Sequence, residues 1–534
     1  MSTVAPAPVR PADGIGASPS RPDGTPKVLG EFAYSSDLWA DGMLWGTTLR
    51  SPHPYARIRS FDSARALALP GVRAILSHED VPGRKTYGLE VPDQPVLAMD
   101  VVRYQGEPVA IVAADHPETA RRAAELAEVE YEVLEPLVDM ELAIASDEPR
   151  LHEDGNVVRR IHVRNGDVAA AEADADVVVH GEYELGMQDQ AFLGPESGLA
   201  IPAEDGGVDL YVATQWLHVD RSQIAASLGL PPEQVRLTLA GVGGAFGGRE
   251  DLSMQTHACM LALYTGRPVK MVYQRDESFF GHVHRHPGRM RYEHGATRDG
   301  NLVYVRARIV LDGGAYASSS RAVCHNAAST GVGPYECPNA DLDTYVAYTN
   351  NPPCGAMRGF GAVQVCFAYE AQMDRLAAAL GMHPVELRRR NAMNTGSSLP
   401  TGQVIDGPAP VARLLDELDS MPLPDAAAED GLDLRKLPGG VSNTTHGEGI
   451  RRGVGYAVGF KNIGFSHGFD DYSTARVRVS VASGEPQVEV HTAACEVGQG
   501  GITIQAQIAR KVLGVERVIV LPADTQVGNA GSSS

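Results

Sequence analysis

The apolar positions of this chain change period several times, and each change marks an element. Pro108 to Asp115, PVAIVAAD, is a continuous apolar run of the length of a buried strand. HPETARRAAELA follows, with Pro117 at a first helical position and an alanine-rich helix behind it. Glu128 to Leu134, EVEYEVL, returns to the period-two alternation of a strand. Downstream, Leu217 to Gly229 has helical spacing and ends on glycine, whereas Gln234 to Val242 and Leu302 to Asp312 alternate as strands. Cys366 to Gly381 reads as a helix and HPVELRRRN opens another. After about Gly453, two alternating strands lead through a glycine-rich loop into a further helix, ITIQAQIARKVLG.

This mixture predicts an α+β chain of several domains, since 534 residues exceed what one hydrophobic core organises. Residues 1–24, rich in Pro, Ala, Gly and Ser, read as a disordered tail. Residues 25–143 form a compact α/β domain, 144–165 a polar linker and 166–402 a second domain. Residues 403–448, rich in Pro, Asp and Gly, are an inter-domain crossing before a third domain over 449–534. That third stretch is too short to close a core of its own and stops at GNAGSSS, so further sequence is expected after it.

Charge narrows the partners. Lys and Arg number 46 against 67 Asp and Glu, a net −21, and so acidic a surface repels nucleic acid and anionic membranes. No apolar run approaches the ~20 residues of a membrane span, and the N-terminus lacks the apolar core of a secretory signal. The six cysteines are scattered without metal-ligand spacing and read as buried free thiols of a cytoplasmic protein.

Two glycine loops carry the candidate chemistry. GVGGAFGGRED, Gly241 to Asp251, fails as a dinucleotide fingerprint because Phe246 stands where the third glycine belongs. It fails as a P-loop because Arg249 and Glu250 replace Lys and Ser/Thr. Its glycines around one aromatic let the backbone approach a bulky ligand with amides free to donate. The second loop, EVGQGG, Glu496 to Gly501, opens a helix, so its amides and the helix N-terminus offer an anion site suited to a phosphate, with Gln499 adding donors and an acceptor.

Together these loops resemble the molybdenum hydroxylases, the xanthine dehydrogenase and aldehyde oxidase family. GVGGAFGGRE is similar to the family's GGGFGGKE loop and ATQWLHV to its Thr-Gln element at a like distance upstream. CGAMRGFGAVQ is similar to RGFG-x-x-Q, and CEVGQG to EMGQG. The motifs stand in the family's order and span nearly everything after the tail. The resemblance implies a hammerhead-like α/β domain followed by two elongated molybdenum-cofactor-binding α+β domains, the second incomplete, as in the separate molybdenum subunit of bacterial members. It also implies molybdopterin, with or without a cytosine nucleotide, and 2Fe-2S and FAD centres on partner subunits, because no cluster-type cysteine pattern occurs here.

Carried over residue by residue, Gln215 hydrogen-bonds near the molybdenum, Phe246 and Gly247 border it, and Arg358 sits beside it. Gly498 and Gln499 contact the pterin. Gln215, Phe246 and Arg358 form the metal's environment without being its ligands, since the pterin dithiolene holds it. Glu250 and Arg321 fall where purine-oxidising members keep polar residues, and a carboxyl facing a guanidinium suits a polar heterocycle. Phe360 is assigned to one face of the substrate ring, with Phe469 or Phe465 as the second aromatic. The implied reaction hydroxylates hypoxanthine or xanthine toward urate with water as oxygen source. Arg321 stabilises charge growing on the purine. The general-base glutamate is expected beyond residue 534, which leaves this chain alone without turnover. Cys354 lies too early for the cysteine of the family's carbon monoxide dehydrogenases, and the family's QEH-like element is altered to QDQAFLGPES, Gln188 to Ser197. An aldehyde or other N-heterocycle hydroxylase, and a truncated non-catalytic subunit, stand as alternatives.

Overall fold

The computed structural model describes residues 15–146, 148–423, 453–466, 468–469 and 471–531. Its framework is a seven-stranded sheet in the order Val235–Leu239, Val208–Val212, Ser197–Pro202, Val269–Val272, Leu44–Arg50, Pro108–Ala114, Val72–Leu76. Leu44–Arg50 runs parallel to Val269–Val272, so the first two regions of the chain share one sheet and one core. The apolar run Pro108–Ala114 is buried at every position, as a strand covered on both faces must be. The helix Pro117–Leu126 behind it turns Ala120, Ala123 and Ala124 inward.

A second sheet of five strands follows the order Val177–Leu185, Gly288–Ala296, Leu302–Asp312, Asn339–Ala347, Val157–Asn165. The helices Ser320–Thr330 and Ala362–Leu380 cover one face and share its core. The strand Val157–Asn165 replaces much of the linker expected over 144–165; its alternation of charged and apolar residues belongs to an edge strand with one wet face. The predicted crossing over 403–448 contains the helix Val411–Asp419, whose Val411 and Leu415 pack against Val385 of the helix Pro384–Asn391. Residues 424–448 of that crossing lie outside the described residues, as do residues 1–14 of the predicted tail. The tail's later part is held: Arg21 and Lys27 both donate to buried Asp23.

Helix Pro384–Asn391 hides Arg388, the largest fully buried side chain among the described residues. Its guanidinium bonds Glu370 at 2.7 Å and Asp374 at 2.8 Å, while Tyr335 donates to the same Glu370. Removing one partner of such a pair strands a buried charge. Arg388→Ala is therefore expected to destabilise the chain by about 3–5 kcal/mol, read from urea unfolding.

The third region is a three-stranded sheet, Arg476–Ala482, Glu485–His491 and Arg517–Val520, with the helix Gly501–Leu513 packed on Val488 and Val490. Register sets Val477 opposite Val490 and Val479 opposite Val488, which puts them on the helix-bearing face. The helix packs on Glu485–His491 and Arg517–Val520, and Val477, Val479 and Val481 of the opposite edge strand remain 51%, 61% and 75% exposed. Residues 523–530 return to the main framework: Ala523 and Thr525 hydrogen-bond the edge strand Val235–Leu239, and Val527 enters its core.

Candidate functional site

The glycine loops meet where the first two sheets and the third region adjoin. Strand Val235–Leu239 runs into Gly241, and the loop turns on Phe246, whose φ of 53° is in the left-handed region. Gln215 precedes the helix Leu217–Leu228 and fixes this loop. Its side-chain oxygen accepts from the amides of Gly247 at 3.0 Å and Arg249 at 3.3 Å, and its backbone amide donates to Arg249 O. The second loop, 354–361, docks on the first through Arg358 N donating to Phe246 O at 2.9 Å. Gly247 has φ +104°, and a Cβ there would stand 2.7 Å from the carbonyl carbon of Ala356, so only glycine lets these loops touch. Gln364 closes the second loop by accepting from Gly361 N at the start of the helix Ala362–Leu380.

The third loop joins them through Val497, which packs on Val242 and Ala245. The free phosphate site expected at its amides is not what the structure holds. Glu496 lies on them, accepting from Gly498 N, Gly500 N and Ile502 N at 2.8–3.1 Å, because a carboxylate just before the helix Gly501–Leu513 reaches the helix's own orphan donors. Gln499, though exposed, folds back on its own loop: its side chain donates to Cys495 O and accepts from Val497 N. Arg21 bonds Gly498 O at 2.7 Å and pairs with Glu496, tying the N-terminal segment to this loop.

Arg358 and the Phe246 ring are exposed on the open side of the loops. Phe360 is not: it is buried, with its ring 5.2 Å from Phe465. Both candidate second aromatics belong to this group, Phe465 lying 4.9 Å from Phe469 and each 5.5 Å from Trp216. Phe465, not Phe469, is therefore the neighbour of Phe360, and Phe469 is the more exposed edge.

Glu250 closes the first loop in full burial. Desolvation, with repulsion from Asp251, pushes its carboxyl up to about 8, against the pull of Lys461. Burial likewise raises Asp251 to about 7, although Ser318 donates to it at 2.9 Å. Glu250 and Arg321 are not paired. Arg321 opens the helix Ser320–Thr330 as an exposed side chain whose charge acts on Glu90 and Tyr348, while the cation that acts on Glu250 is Lys461. Lys461 is absent from the residues that sequence reasoning selects; its one signal is a lone lysine in the apolar, glycine-rich stretch GFKNIGF.

Beneath the first loop lies a buried polar group that sequence reasoning also misses. Arg249 caps the carbonyls of Gly244, Ala213 and Gly194 and stacks 4.3 Å over Phe192. Gln190 donates to Ala356 O and so braces the second loop. His282 lies between Asp189 at 3.1 Å and Glu196 at 2.7 Å. Burial lowers its pKa, but the two carboxylates outweigh that and push it up to about 9. HVHRH, with histidine at every second residue of an extended segment, is the legible signal. An open groove of about 570 Å³ on the bare face of the five-stranded sheet, among paired charges such as Arg306–Glu293, shares no residue with these loops.

The chain is similar to known proteins over most of its length. Models of the molybdopterin cofactor-binding domain match residues 151–392 and 427–534, and the model of the aldehyde oxidase and xanthine dehydrogenase a/b hammerhead domain matches 29–135. A probable xanthine dehydrogenase subunit of Bacillus subtilis (strain 168) is 37% identical over 518 residues, 96% of this chain and 67% of that protein. The nicotinate dehydrogenase large molybdopterin subunit of Eubacterium barkeri is 40% identical over 392 residues, 73% of this chain and 92% of that one. The solved aldehyde oxidoreductase from Desulfovibrio gigas superposes with a TM-score of 0.85 at 28% identity, covering 96% of this chain but 57% of its own.

Proposed function

This chain belongs to the xanthine dehydrogenase and aldehyde oxidase family of molybdenum-dependent oxidoreductases, and from that premise we propose that it serves in a purine hydroxylase. In that reading it is the molybdenum-cofactor subunit that takes hypoxanthine and xanthine to urate. Electrons pass to iron–sulfur and FAD subunits. The loops fit the cofactor. Among the described residues, no atom lies within 4 Å of where a Cβ of Gly498 would stand, and the one neighbour of a Cβ at Gly500 is the far end of Arg21. Phe246 and Arg358 are presented on the open side of the same loops.

Molybdopterin, when bound, would supply the two-electron chemistry. This chain's residues do the rest. Gln215 holds the amides of Gly247 and Arg249 in place, Arg358 offers a cation at the cofactor's rim, and Gln499 keeps the third loop closed. The observation that carries the substrate reading is Glu250. Burial pushes its carboxyl toward the protonated form, which can donate to a ring nitrogen, while Phe469, the exposed edge of the Phe360–Phe465–Phe469 group, favours a flat aromatic over an aliphatic substrate. Arg321, whose charge acts on Glu90, is proposed to meet negative charge on the purine.

Lys461 favours a second reading. An exposed cation acting on a buried Glu250 suits an anionic ring such as nicotinate. The assembled complex with its iron–sulfur and FAD subunits separates the two. Hypoxanthine is expected to exceed nicotinate and benzaldehyde in kcat/KM by at least about tenfold, roughly the discrimination of one well-placed contact. Preference for nicotinate moves the assignment to the second reading, and preference for benzaldehyde contradicts both.

A further inference from the structure

His282 and His284 flank Val283 on an extended segment, so both imidazoles project to one side and stack with ring centroids 5.2 Å apart. Their Nε2 atoms converge on one oxygen of Asp189, Oδ2, at 3.1 Å from His282 and 3.3 Å from His284. All three candidate ligand atoms lie within 4.8 Å of one another. Zinc bonds nitrogen and oxygen at about 2.0–2.2 Å, and two such ligands at tetrahedral angles stand roughly 3.3 Å apart, close to the separation of Asp189 Oδ2 from each histidine nitrogen. We infer that Asp189, His282 and His284 form a site for a divalent metal of the zinc class, distinct from the cofactor loops.

Two further observations support a metal site over a chance contact. His282 presents its other nitrogen, Nδ1, to buried Glu196 at 2.7 Å, the outer carboxylate that fixes the tautomer and angle of a metal-binding histidine. Gln190 brings its side-chain oxygen to 3.2 Å from His282 Nε2, within reach of a fourth position. Both histidines are nearly fully buried and Asp189 is only partly exposed, so water competes poorly for the metal.

The place of the site gives it a role. Asp189 immediately precedes Gln190, which hydrogen-bonds the second cofactor loop, and His282 packs on Phe192, over which Arg249 of the first loop stacks. A metal here joins the 188–196 segment to 282–284 behind both loops. It is a brace and not a reacting centre.

The test is equilibrium dialysis of the full chain against zinc chloride, followed by cobalt substitution. The wild type is expected to hold one zinc at this site, and His284→Gln, which keeps a neutral hydrogen-bonding side chain, to weaken that zinc at least a hundredfold. The cobalt form is expected to show the visible d–d bands of a low-coordinate nitrogen–oxygen site, absent in Asp189→Asn. Equal zinc affinity and stoichiometry in wild type and His284→Gln overturns the site and leaves an ion-paired histidine in its stead. Should a variant fail to fold, the wild-type cobalt spectrum decides alone, and absence of d–d bands overturns the proposal.

Discussion

Gly247→Ala is expected to reduce the molybdenum content of the purified protein to below about a tenth of wild type while the chain stays folded. The added methyl would lie 2.7 Å from the Ala356 carbonyl carbon and 2.9 Å from Met357 Cα, both backbone atoms that cannot swing aside. The residue also has φ +104°, where a side chain costs about 1–3 kcal/mol. Relief of that clash separates the first loop from the second, breaking the Arg358 N to Phe246 O bond and the seat of Gly247 N on Gln215. A loss of about 1.4 kcal/mol in binding is already tenfold. The main cores lie elsewhere, so thermal unfolding should shift little. Full molybdenum occupancy in this variant would show that the contact between loops is not what shapes the cofactor site.

The second large effect concerns pH. Burial lifts the Glu250 carboxyl from the ordinary 4.5 to about 8, so the folded chain keeps it protonated at neutral pH. For a neutral N-heterocycle that needs a donor, kcat/KM is expected to hold level below about pH 7 and to fall as pH passes about 8. Glu250→Gln, with a permanently neutral amide, is expected to remove that fall. The same linkage acts on stability, with a sign opposite to that of an ion-paired carboxylate. The folded state binds more protons than the unfolded one between pH 4.5 and about 8, so this contribution is whole below 4.5 and gone above about 8. Glu250→Gln should flatten the decline of stability over that window. An unchanged pH profile in the variant would place the titrating group elsewhere.

Much of the fold is legible in the sequence because single residues announce local geometry. Pro117 opens its helix, Gly229 and Gly381 close theirs in left-handed conformations, and the unbroken run from Pro108 reads directly as a doubly covered strand. The glycine loops are legible for the same reason, since only glycine tolerates the approach at Gly247. What sequence does not carry is the partner of each polar group. That Glu496 lies on its own loop's amides and that Lys461 acts on Glu250 both depend on pairings made in three dimensions. Gln499 bonded back to its own loop and Phe360 covered by Phe465 depend on such pairings too. The strand Val157–Asn165 reads as linker because an edge strand with one wet face carries Arg159, Arg160 and Arg164 among its apolar residues, a composition that loops share.

The measurement that bears most directly on this account is molybdenum and pterin content of the protein purified from cells able to make the cofactor. Molybdenum near one per chain, with an equal amount of pterin released on denaturation, is the predicted result. Protein that is folded yet carries neither would contradict the assignment of these three loops to molybdopterin.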